Sequence, residues 1–194
     1  MARTVDPALR PRLLAKAADH CLTRGVGNLS LRPFAEALGV SPRTLLYHFD
    51  SKERLVAAIV EEIQRRYRAL FSAWLERRPG YDFRSQILGA WLFLSAPRHE
   101  RFLRFSFELH ALALRDRRRY GATGARLIAD STDMFASVLQ EGGVGAQDAA
   151  RTSILLAAVA RGLLLEALAT GDRARADRAF RAFVATLDLP RGLR

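Results

Sequence analysis

The chain has 194 residues, long enough for a packed core in one or two domains, and its 49% hydrophobic content excludes general disorder. Its net charge of +11, almost all from arginine, suits a polyanionic partner; Lys16 and Lys52 are the lysines. Cys21 is the sole cysteine, which excludes an intramolecular disulfide, and with no apolar leader-like segment the expected location is the cytoplasm.

In chain order, Leu13, Leu14, Ala17, Ala18, Cys21 and Leu22 form the apolar side of a first helix, with Cys21 as a small buried hydrophobe. A second helix starts at Ser30, a good N-cap, with Leu31, Phe34, Ala35 and Leu38 at helical spacing behind it. Pro33 falls in its first turn, where a missing N–H costs little, and Gly39 ends it. Ser41-Pro42 opens a third helix whose apolar side is Leu45, Leu46 and Phe49, with Arg43, Thr44, Tyr47 and His48 as polar tips. Ala35, Gly39 and Leu45 have the spacing of two helices crossing closely in a helix-turn-helix, which points to a DNA reader.

Residues 10–60 resemble the DNA-binding end of the tetracycline-repressor-like (TetR) family of bacterial transcription regulators. The matching residues, in order, are Gly25, Ser30-Leu31-Arg32, Phe34-Ala35, Gly39-Val40-Ser41, Thr44-Leu45, His48-Phe49 and Ser51-Lys52-Glu53. The resemblance implies a DNA-binding set of Ser30, Arg32, Arg43, Thr44, Tyr47, His48 and Lys52. In it Arg43 and Thr44 approach base edges, Tyr47 and His48 touch phosphates or bases, and Lys52 adds its charge to a helix N-terminus facing a phosphate. The family commonly has a tyrosine where this chain has Leu46 and a small residue at Arg43, which implies a different site preference.

Beyond residue 52 the pattern stays helical, with no strand alternation, repeat or low-complexity linker. A long amphipathic helix over 55–75 carries Leu55, Val56, Ile59, Ile63, Tyr67, Leu70 and Phe71, and Pro79-Gly80 breaks it. Further helices are expected over 82–94, 99–115, 123–139, 146–169 and 174–187, with 117–120 a connection or a helix start. The fold expected is all-α: an N-terminal three-helix helix-turn-helix domain, residues 1–52, and a larger C-terminal helical bundle, residues 53–194, for effector binding and dimerisation.

The middle helices are rich in aromatics, and aromatic walls with a few polar groups suit an apolar ligand. Trp91, Phe93, Phe102, Phe105, Phe107, Met134 and Phe135 make up this aromatic-rich set, with His110 and Glu108 among them; the candidate effector-binding residues are Trp91, Phe102, Phe105, His110, Met134 and Phe135. The apolar surplus near the C-terminus suits a four-helix dimer interface built from Leu155, Ala158, Val159, Gly162, Leu163, Phe180 and Val184. The run 154–169 is short and interrupted by Arg161 and Glu166, so no membrane span is expected.

No catalytic or cofactor-binding pattern stands out, and no cofactor or metal is expected. His99-Glu100 lacks the second histidine of a zinc-protease helix, and Gly142-Gly143-Val144-Gly145 lacks the lysine of a phosphate loop. The functional expectation is a homodimeric regulator, a repressor, on a palindromic operator in double-stranded DNA, answering to an apolar or aromatic small molecule. A DNA-binding or architectural protein without an effector is the alternative.

Overall fold

The computed structural model describes residues 8–27, 29–78 and 81–188. Among them the secondary structure is all-α, with nine α-helices and no strand. Three short or medium helices come first: α1 (Leu9–Arg24), α2 (Leu31–Leu38) and α3 (Pro42–Phe49). The long α4 (Lys52–Leu75) follows, then α5 (Phe83–Leu94), a 3-10 turn at Pro97–His99 and α6 (Glu100–Arg115). The last three are α7 (Arg117–Glu141), α8 (Ala146–Thr170) and α9 (Arg173–Thr186).

The turn between α2 and α3 is set by local chemistry. Gly39 adopts φ 74°, ψ 31°, and its N–H donates to the Glu36 carbonyl while that of Val40 donates to Ala35. These two bonds close the helix in a Schellman motif, which needs the left-handed residue glycine tolerates. Ser41 then caps α3 by accepting the Thr44 N–H at 3.0 Å, with Pro42 at the first helical position. Ser51 caps α4 in the same way through Arg54 N–H. Ser30 sits at the N-cap of α2 in extended conformation, yet its hydroxyl makes no capping bond.

Two hydrophobic clusters hold the molecule together. One joins α1–α3 to the first half of α4 as far as Ile63, and takes Phe105 and Leu109 from α6 and Leu127 from α7. The other joins Tyr67 and Phe71 of α4 to α5 and to the α7–α9 layers. Helix α4 therefore runs through both, and α6 also feeds both, with Phe105 and Leu109 in the first and Leu103 in the second.

Several expectations need adjusting. Leu46 is 38% exposed, because Leu45 and Phe49 take the inward side of α3 and Leu46 turns with Arg43 and Tyr47 to the outside. Leu70, expected on the buried stripe of α4, is 56% exposed. The basic run at 117–120 starts α7, whose cap is Asp116. Pro79-Gly80 lie outside the described residues; α4 ends at Leu75, before them. By length and composition α8 is long and apolar enough to cross a membrane, a test that core helices also pass. Its charges do not interrupt the helix: Arg161 bonds Ser131 of α7 and Glu166 pairs with Arg175 of α9, so both work within the bundle.

Candidate nucleic-acid interface and ligand cavity

Helix α3 has a clear outer face. Arg43, Leu46 and Tyr47, three and four residues apart, point away from the core, and Tyr47 is 67% exposed. Thr44 and His48 lie on its flank, half-buried. The Thr44 hydroxyl is 2.8 Å from Ser41 Oγ, and the His48 ring meets Tyr47 edge-on at 5.1 Å. Ser30 and Arg32 are exposed at the start of α2, and Lys52 is half-exposed at the start of α4. Among the described residues none of the Arg32, Arg43 and Lys52 charges is held in an ion pair.

Arg10 has no part in the sequence-derived set, yet it supports α3. Its Nε donates to the His48 carbonyl at 3.1 Å and its guanidinium lies 5.1 Å from the Phe49 ring centre, which ties the start of α1 to the end of α3. Several of the downstream arginines are held in ion pairs: Arg119 with Glu53, Arg173 with Glu100, Arg175 with Glu166 and Arg181 with Asp177.

Besides the apolar packing of Phe105, Leu109 and Leu127, a polar contact ties the α1–α2 loop to the rest of the molecule. The Glu108 carboxylate of α6 accepts from Val26 N–H at 3.1 Å and from Gly27 N–H at 2.7 Å. Gly25 has φ +79°, and a Cβ there would lie 2.6 Å from Glu108 Oε2; one at Gly27 would lie 2.9 Å from Oε1. The two glycines are what let the α1–α2 loop close around the carboxylate. Glu108 is thus not a cavity residue but a clamp. Burial, with the Glu108 carboxylate nearby, pushes the Cys21 thiol up to about 12, so it stays protonated and unreactive at neutral pH.

A cavity of about 270 Å³ lies between α4, α5, α6, α7 and α8. Of the expected effector residues, Phe102, His110 and Met134 border it. The other three do not. Trp91 stacks on Phe180 at 4.3 Å and donates Nε1–H to Asp177 at 2.8 Å, which fixes α5 to α9. Phe105 packs into the N-terminal cluster, and Phe135 is buried on the inward side of α7. Residues outside the expected effector set complete the wall: Gln64, Tyr67 and Arg68 of α4, Ser106 and Phe107 of α6, and Arg161 of α8. Tyr67 stacks on Phe102 with ring centres 3.6 Å apart. His110 Nδ1 lies 2.7 Å from the Ser106 carbonyl, which can only accept, so Nδ1 carries the proton and Nε2 is the acceptor of the neutral ring. Burial lowers the pKa of His110; the Ser106 bond opposes this and the Arg161 charge adds to it. The Asp130 carboxylate at the cavity edge holds Arg68 at 2.8 Å and Arg126 at 3.1 Å. Among the described residues no three His, Cys, Asp or Glu side chains converge as a metal would need.

The expected dimer residues divide as well. On α8, Ile154 (60% exposed), Leu155 (58%), Ala158, Gly162 and Leu165 (50%) face outward, with Val159 and Leu163 half-buried beside them. Phe180 and Val184 are buried within the chain, because the stripe of α9 packs onto α5 and α8. The outer side of α9 is instead small residues and arginine: Ala179, Ala182, Arg175 and Arg178.

Sequence comparison agrees with the geometry of α1–α4. The profile of the bacterial regulatory proteins, tetR family, matches residues 13–59, the stretch that holds the capped turn and the outward α3. The N-terminal domain is that of the TetR family. Solved structures extend the likeness of fold to the whole chain. A TetR-family transcriptional regulator from Rhodococcus sp. is 23% identical, with TM-score 0.71, covering 91% of this chain and 96% of its own. The reduced form of NemR from E. coli is 17% identical, with TM-score 0.72 and coverage of 93% and 98%. A regulator from Saccharomonospora viridis in complex with choline is 22% identical, with TM-score 0.64 and coverage of 94% and 98%. No curated protein matches the sequence. Residues 13–59 thus carry a TetR-type N-terminal domain, and the chain as a whole shares the fold of these solved regulators.

Proposed function

We propose that the chain is a repressor that binds a palindromic operator as a homodimer and answers to a small molecule in the cavity. The reading head is assigned to residues 1–52 and the effector and pairing functions to 53–194. Arg43 and Thr44 are assigned to base edges, Tyr47 and His48 to phosphates or bases, and Leu46, on the same outer face as Arg43 and Tyr47, to apolar contact with a thymine methyl. Lys52, Ser30 and Arg32 are assigned to the DNA backbone. Pairing is assigned to the exposed apolar stripe of α8 and the small outer residues of α9.

One observation supports the regulatory part of this reading above all. Helix α6 borders the cavity with Phe102, Ser106 and His110, and two residues before His110 its Glu108 clamps the loop before α2. An occupant that moves α6 must act on the angle of the reading helices, and hence on whether two heads match one face of a duplex. That the choline-bound structure from Saccharomonospora viridis has this fold is consistent with a small-molecule role for the bundle.

The test is reciprocity. A ligand found by thermal shift should change operator affinity, and operator should change ligand affinity by the same factor, with a coupling of about 1–3 kcal/mol. A ligand that fills the cavity tightly yet leaves operator affinity untouched would favour a regulator or architectural protein without an effector, since equal affinity for both states shifts no equilibrium.

A further inference from the structure

If the cavity holds an effector, as proposed above, its walls also specify the chemistry of the occupant. Gln64 Nε2, the Tyr67 hydroxyl, Ser106 Oγ and His110 Nε2 are buried polar atoms with no hydrogen-bond partner, and all four residues border the one cavity. Gln64 and Tyr67 are themselves more than nine-tenths buried. Buried polar groups are normally paired, so four orphans around one space point to a polar occupant set among the aromatic rings.

The charges narrow the class. Asp130 is neutralised by Arg68 and Arg126, and Asp133 is exposed to water at the cavity's edge. Arg161 differs from both. Its Nη2 donates to Ser131 Oγ at 2.8 Å, and among the described residues no carboxylate lies in ion-pair contact with it. Burial lowers its pKa with no anion to offset the loss of water. A half-buried guanidinium held only by a hydroxyl, with no anion against it, is under-neutralised, and a carboxylate is its natural planar complement. His110 Nε2, an acceptor, asks in turn for an O–H donor. The volume of about 270 Å³ is at the small end of ligand sites and fits a single ring better than a drug-sized molecule.

We propose that the cavity takes a small aromatic carboxylic acid bearing a hydroxyl, its carboxylate on Arg161, its hydroxyl donating to His110 Nε2 and its ring against Tyr67 and Phe102. A cation such as choline meets the unpaired arginine and is excluded. Calorimetric titration of the full chain with para-hydroxybenzoate, para-hydroxybenzamide and choline tests this. The acid should bind at least about tenfold more tightly than its neutral amide, since the amide cannot form the charge-assisted pair. Arg161→Gln should erase that preference and Arg161→Lys should keep part of it, with thermal unfolding of each variant reporting that the chain is folded. Amide or choline binding as tight as the acid, no binding of the acid at millimolar concentration, or an acid preference that survives in Arg161→Gln would overturn the proposal. A neutral ligand that binds and shifts operator affinity would leave the effector reading standing without the acid. An acid that binds through Arg161 but leaves operator affinity unchanged would do the reverse.

Discussion

Gly162→Arg should turn a dimer into a monomer and abolish specific operator binding, while leaving the single chain folded. Gly162 is exposed on α8, and a Cβ built there meets no atom within 4 Å. The isolated chain therefore has room for the side chain. Replacing glycine in a helix also removes a penalty of about 1 kcal/mol, so the monomer should gain slightly in stability. In the paired state the same side chain would enter a close helix contact flanked by Leu155, Ala158 and Leu165, and a buried unpaired charge costs several kcal/mol there. One reading head keeps only half the contacts, so specific affinity should fall below detection at ordinary concentrations. Sedimentation velocity of wild type and variant decides it. A wild type that stays monomeric at micromolar concentration, or a variant that remains dimeric, would remove α8 from the interface.

Glu108→Ala should loosen the reading helices from the bundle. The carboxylate satisfies two backbone N–H groups, and a buried donor left without an acceptor costs about 1–3 kcal/mol. For a chain of this size the Tm should fall by roughly 2–4 °C for each kcal/mol of destabilisation. The Val26 and Gly27 amides should exchange with solvent far faster than in wild type, and amides within α8 should not change. Glu108→Gln keeps one acceptor oxygen and should fall between the two. Unchanged protection at Val26 and Gly27 in the alanine variant would show that other contacts hold the loop, and α6 would lose its assigned role as the connection between the two ends.

Helices α2 and α3 are legible in the sequence because their stops and starts are local chemistry: Gly39, Ser41 and Pro42 act through their own backbone and immediate neighbours. Leu46 is not, because an apolar residue beside Leu45 satisfies a core pattern by composition, although only one of two adjacent helical positions can face inward. The cavity is legible in kind but not in membership. Its polar groups come from α4, α6 and α8, nearly a hundred residues apart, and no spacing rule connects Gln64 with Arg161. Trp91 and Phe135 have the same aromatic signal as Phe102, and only tertiary packing separates a core ring from a wall ring. Phe180 and Val184 make the same point for pairing. Periodicity identifies an apolar stripe on α9, but whether its cover is in the same chain or in a second one is decided by where α5 and α8 lie. The Glu108 clamp leaves a trace in the sequence, two glycines either side of Val26, whose meaning needs the carboxylate eighty residues downstream.

Two copies of α3 should read a palindrome through Arg43 and its neighbours. Selection of bound duplexes from a random pool by the full chain, repeated with Arg43→Ala and Lys52→Ala, tests it most directly. Wild type should enrich an inverted repeat with half-sites about one helical turn apart. Arg43→Ala should enrich the same repeat with preference relaxed at one base pair per half-site, at a cost of roughly 1–3 kcal/mol for each base it no longer reads. Lys52→Ala should enrich the wild-type sequence, bind all duplexes more weakly, and lower the salt slope by about one for each phosphate it no longer neutralises. A pool that stays random with wild type, or an Arg43→Ala selection indistinguishable from wild type, would contradict the account.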